Sequence, residues 1–107
     1  MRKLTDVILS TSVYDGVTEN ITGEPPNVDL FNEQLTVICG TYLVRVDQHA
    51  ASQNAMHCDL FIAVIEEHHF QAVLDEFYKI IWEVPESVQL MLKRENDEVF
   101  SIYVPKP

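Results

Sequence analysis

Phe70, Val73, Leu74, Phe77 and Ile81 recur at intervals of three and four residues. This stripe constrains the fold more than any other feature of the chain. It predicts a helix over residues 67–83 with one core-facing side. Glu66 and Glu67 at its start suit the positive end of the helix dipole, and Asp75 and Glu76 reach Lys79 at four and three residues. Pro85 stops it. Tyr78, Ile80 and Trp82 widen the apolar surface, so the last turns are expected to meet a second surface.

A helix with one apolar stripe needs a partner layer, and the flanking segments read as strands. Residues 35–46, rich in β-branched and aromatic side chains, are expected to form a strand apolar on both faces. Such a strand is central or lies at an oligomer interface. Gly40 suggests a bulge or a close backbone approach within it. Residues 48–56 read as a connection, and Cys58 to Ile65 as a second strand, antiparallel to the first. Ser87–Arg94 and Val99–Val104 alternate around the polar turn Glu95-Asn96-Asp97-Glu98, which predicts a hairpin. Here Val88, Leu90 and Leu92 share one face, as do Phe100, Ile102 and Val104. Met91 and Tyr103 then fall on the outer face.

Residues 4–14 fit a helix or a strand equally. Asp15-Gly16 is a turn signal. Gly23 to Asn27 reads as a loop, and Val28 to Gln34 as one helical turn capped by Asn27. The order is an N-terminal element followed by β–β–α–β–β. This is an α+β fold: an antiparallel sheet of about four or five strands with one main helix, residues 67–83, on one face. At 107 residues, 47% of them hydrophobic, the chain suits one domain that buries a core without a metal or disulfide.

Charge is the unusual quantity. Seventeen acids face seven lysines and arginines, a formal net charge of −10. From Leu4 to Tyr78 there are twelve acids and one base, Arg45. This balance disfavours nucleic-acid phosphates and anionic membranes and suits a basic protein partner. It also serves solubility alone.

Catalytic signatures are missing. The chain has no GxSxG, no phosphate-binding glycine loop and no dinucleotide fingerprint. His57-Cys58-Asp59 sets neighbours on opposite faces of a strand, which is poor for joint coordination. His49 and His57 flank a connection, and no CxxC or HExxH spacing supports a metal. His68 and His69 lie in the first helical turn, where exposed histidines are ordinary. Cys39 and Cys58 sit in apolar runs and read as buried thiols of a cytosolic protein, with a disulfide between neighbouring strands as the other reading. Asn20-Ile21-Thr22 matches a glycosylation sequon but is read as chance. A short N-terminal apolar stretch broken by Asp6 does not read as a signal peptide, and no run approaches a membrane span.

These readings predict a non-enzymatic, cytoplasmic protein-binding module without cofactor or metal. Its small, acidic, motif-free α+β profile resembles immunity proteins, antitoxins and phage-encoded inhibitors in composition. Such a module would occlude a basic, nucleic-acid-gripping surface of a partner protein. The expected contact residues are Glu66, Glu67, Asp75, Glu76, Tyr78, Trp82, Met91 and Tyr103. Two alternatives stand beside it. One is a structural subunit of a homodimer or higher assembly, such as a phage or cell component, that buries strand 35–46 and the hairpin between copies. The other is a small metal protein or enzyme using His57 and Cys58. A self-assembling acidic chain must pair through apolar surfaces and leave its acids outside.

Overall fold

A computed structural model describes residues 3–12, 15, 26–46 and 59–106. Five antiparallel strands form one sheet in the order β2-β3-β1-β4-β5. They are β1 (Leu4–Thr11), β2 (Val44–Arg45), β3 (Asp59–Glu66), β4 (Gln89–Arg94) and β5 (Ser101–Tyr103). Among the described residues two α-helices, α1 (Asn27–Cys39) and α2 (Phe70–Lys79), pack with the sheet. The ambiguous segment 4–14 is a strand, and it is the central one, paired with β3 on one side and β4 on the other. β3 and β4 therefore run the same way with β1 between them. A helix-bearing connection is what such a pair requires, and α2 supplies it.

The inner face of the sheet carries Val7 and Leu9 from β1, Phe61 and Ile65 from β3, and Leu90 and Leu92 from β4. Val28, Phe31 and Leu35 of α1 and Val73, Leu74 and Phe77 of α2 pack with them in one cluster. At its centre Phe31 meets Phe77 edge-on at 6.1 Å, and Trp82 closes on both rings at 6.3 and 5.6 Å.

Several local expectations are corrected. Residues 35–46 are not one strand: 35–39 end α1, Gly40 caps it, and only Val44 and Arg45 pair with β3. Val28, Phe31 and Leu35 line one helical face, and burying that face outweighs the strand preference of Thr36-Val37-Ile38. Gly40, at φ 68°, takes the left-handed conformation and donates its N–H to Thr36 O, a helix stop rather than a bulge. The helix is capped at Pro26, whose ring offers no acceptor, and not by Asn27, which is its first residue and donates its amide to Asp15 and Ile81 O. α1, with 13 residues, is the longer helix.

The helix expected over 67–83 is a 3-10 turn, Glu67–His69, leading into α2, which ends at Lys79. Ile80 is extended, and this exit lets Trp82 turn into the core at 5% exposure while Ile81 projects at 90%. In the hairpin, Tyr103 lies opposite Leu90 and Ile102 opposite Met91. Side chains alternate along a strand, so this register turns Tyr103 inward and Ile102 outward, the reverse of the expected phase.

Asp15 ties the layers together. Its carboxylate is fully buried and accepts three hydrogen bonds: from Asn27 Nδ2 at 2.6 Å, from Glu83 N at 2.6 Å and from Val84 N at 2.9 Å. Its backbone carbonyl accepts from Val28 N at 3.0 Å. One residue thus joins the end of β1 to the start of α1 and the exit of α2. Asn27 Nδ2 also donates to Ile81 O at 3.1 Å.

Candidate functional site

The two helices lie on one face of the sheet, and among the described residues nothing packs on the other. Alternation along the strands turns Leu4, Asp6, Ile8 and Ser10 of β1 to that open face. Leu60, Ile62, Val64 and Glu66 of β3 join them, with Gln89, Met91 and Lys93 of β4. The pairing register aligns one residue from each strand in a row, Val44–Ile62–Ile8–Met91–Ile102. All five are apolar. Val44, Ile62 and Ile102 are 49, 42 and 59% exposed, and exposed Val64 and Leu4 lie in neighbouring rows, opposite Asp6 and Glu66. Lone exposed aliphatics are ordinary, but a contiguous row across a whole sheet is not.

Charge is distributed in the opposite sense. The open face holds Asp6 and Glu66 with Lys93, which is the cross-strand neighbour of Asp6. Five exposed acids lie on the helix layer and the segment after it, Asp29 and Glu33 on α1, Asp75 on α2, then Glu83 and Glu86, while Asp6 is exposed on the open face and Glu95 and Glu98 at the turn after β4. Several cations are engaged locally. Arg45 pairs with buried Asp59 at 3.3 Å, Lys79 with Glu76 at 3.1 Å, and Arg94 lies 4.4 Å from the Phe70 ring centroid. The helix layer keeps little positive charge of its own.

The expected contact residues do not form one surface. Glu66 and Glu67 sit at the corner where β3 turns towards α2. Asp75 is exposed and accepts from Gln71 Nε2 at 2.9 Å, and Glu76 is half-buried beside Lys79. Tyr78 packs on Phe77, with Lys106 Nζ 4.6 Å from its ring centroid. Trp82 belongs to the core, its indole N–H donating to Phe77 O at 3.3 Å. Tyr103 is half-buried on the inner side, edge-on to Phe70 at 6.2 Å. Met91 alone lies in the open-face row. Tyr78, Ile81, Trp82, Pro85, Val104 and Lys106 line a shallow groove of about 600 Å³. His49, His57, Cys58 and the sequon at Asn20 lie outside the described residues.

Sequence reasoning missed the rest of the row. The signal was present within each strand: Ile8, Ile62 and Ile102 are apolar residues at positions that alternate with inward-facing ones, and Val44 is apolar too. Both faces of residues 59–66 read as apolar, as they do in a strand covered twice.

The corner at Glu66 also gathers metal-ligating groups. Glu66 Oε2 lies 3.3 Å from His68 Nδ1, and the His68 and His69 rings are 3.9 Å apart between centroids. One ligand atom from each of Glu66, His68 and His69 falls within 4.8 Å of the others. Cys39, at the end of α1, is a free thiol. Partial burial first, and the Glu66 carboxylate second, push its pKa above the ordinary value of 9.0.

No protein-family model, curated protein or solved structure matches this chain. Among the described residues no helix is long and apolar enough to cross a membrane.

Proposed function

We propose that this chain is a non-enzymatic protein-binding module that pairs with a second copy of itself through the open face of its sheet. The observation that carries this reading is the five-residue apolar row Val44–Ile62–Ile8–Met91–Ile102. Charge selects the occupant. A chain of net charge −10 repels its own copy unless they meet where charge is sparse. The open face is such a place, and its Asp6 and Lys93 allow complementary contacts across a two-fold axis. Outward positions number four on β1, four on β3, three on β4 and one each on β2 and β5; with strands about 4.8 Å apart and roughly 6.8 Å between outward residues, they give a face of roughly 400 Å². Two copies would remove about 800 Å² from water, the size of a weak, transient interface rather than a permanent one.

Back-to-back pairing would turn both helix layers outward. Asp29, Glu33, Asp75, Glu83 and Glu86 would then be presented twice to a basic surface. That retains an acidic inhibitor-like module as the second reading, with the acids engaging a partner and the sheet face holding the dimer. The free Cys39 thiol suits a reducing cytoplasm.

Sedimentation equilibrium across chain concentration and salt tests this. Salt screens self-repulsion, so the dimer should tighten as salt rises, whereas attraction to a basic partner should weaken. Ile62→Glu and Ile102→Glu change exposed side chains, should leave the fold intact and should give monomers. A wild-type chain still monomeric at about 1 mM would leave less than about 4 kcal/mol for pairing and would overturn the reading.

A further inference from the structure

We propose that Glu66, His68 and His69 form a binding site for a divalent transition-metal ion, with zinc as the ion their chemistry fits best. The site shares no residue with the apolar row, although Glu66 stands at the end of β3 on the same open face. Two imidazole nitrogens and one carboxylate oxygen are a donor set that zinc accepts, at bond lengths of about 2.0–2.2 Å. Such bonds place ligand atoms about 3.3 Å apart on a tetrahedral ion. Glu66 Oε2 and His68 Nδ1 already stand at 3.3 Å. The full set lies within 4.8 Å, so closure needs only side-chain rotation. His68 is free to rotate, its side chain being 68% exposed.

The backbone explains why three residues so near in sequence converge. Glu66 is extended, at φ −74° and ψ 142°, and the next three residues turn in a 3-10 helix. Along a continuous strand, residues 66 and 69 would point to opposite faces; the change of geometry brings them to one corner. That corner is fixed at its base, because Glu67 N donates to Lys3 O at 2.9 Å. The ligands therefore stand on a strand end and a pinned turn, which lowers the ordering cost of binding.

Imidazole donors select zinc, copper or nickel over magnesium and calcium, which prefer all-oxygen shells. Three protein ligands leave a coordination position open to solvent, as an open rather than a closed zinc site requires. The negative field of the chain raises the local concentration of any divalent cation.

The test is calorimetric titration of the whole, chelator-treated chain with Zn²⁺ alone, together with amide NMR spectra. One ion should bind per chain and shift the amides of residues 66–70. His68→Ala and His69→Ala should each weaken binding at least about ten-fold, the lower end of what even outer-shell changes cost at metal sites. The double variant His49→Ala/His57→Ala should bind as the wild type does. An absent isotherm would overturn the assignment. So would one that survives His68→Ala and His69→Ala, or one that collapses in the His49→Ala/His57→Ala chain. Mg²⁺ binding as tight as Zn²⁺ would overturn the ligand class.

Discussion

Replacing Asp15 with alanine removes an acceptor that three donors share. Glu83 N, Val84 N and Asn27 Nδ2 lie at 2.6, 2.9 and 2.6 Å from its carboxylate. A hydrogen bond to a charged group contributes about 1.5–3 kcal/mol. The three contributions are not additive, and Glu83 and Val84 are open enough for water to replace part of the loss. A net cost of about 3 kcal/mol follows. At about 4 °C per kcal/mol for a domain near this size, the melting temperature should fall by about 12 °C. Asp15→Asn is no rescue, since its amide turns a donor towards backbone N–H donors; it should cost about 2 kcal/mol. Asn27→Ala should cost about 1 kcal/mol, and the double mutant should show a coupling of similar size. Urea unfolding followed by the fluorescence of Trp82, the one tryptophan, reads the wild type and all four variants at a fixed concentration. An Asp15→Ala midpoint within about 0.5 kcal/mol of the wild type, the scatter of ordinary surface changes, would refute the clasp.

Other expectations follow from the packing and the thiol. Phe77→Ala empties the centre of the aromatic cluster and should cost about 3–5 kcal/mol by the same urea assay, with loss of the wild-type Trp82 emission. Gly40→Ala meets no atom within 4 Å, so only the left-handed backbone at φ 68° resists it; about 1 kcal/mol should be lost in thermal melts. Cys39 should alkylate more slowly in the native chain than in urea at pH 8, read by peptide mass spectrometry, and Glu66→Gln should speed the native reaction. Because its folded pKa is raised, the stability contributed by the neutral thiol is present below the ordinary value of 9.0 and is lost as pH rises through the folded value.

What was legible in the sequence were the elements whose pattern is local. Phe70, Val73, Leu74 and Phe77 mark α2, and Leu90 and Leu92 set the inner phase of β4. The α+β class and the antiparallel sheet follow from these. The start of α1 was legible as the helical turn at Val28 to Gln34, but its end was hidden, because Thr36-Val37-Ile38-Cys39 has the composition of a strand and only tertiary burial of Phe31 and Leu35 decides for helix. The phase of β5 was hidden because it depends on which residue meets Leu90. Asp15 carried a visible turn signal, but its partners at Glu83 and Val84 are far along the chain. For the same reason the open-face row is invisible in any one strand: each contributes a single residue, and the register assembles them.

The position of β1 at the centre of the sheet governs how the chain reaches its fold. Thr5 pairs with Ile65 on one side and with Arg94 on the other. A strand that precedes both of its neighbours by so much sequence stays unpaired until they have been synthesised, and no nearby hairpin can nucleate it. Large loops must close before its ladders return any free energy. Refolding should therefore be slower than in a helical bundle of equal length, towards the millisecond-to-second range of non-local β topologies. Until then both edges of β1 are open to other chains, so aggregation competes at that stage rather than in the finished sheet, whose edge strands β2 and β5 are short.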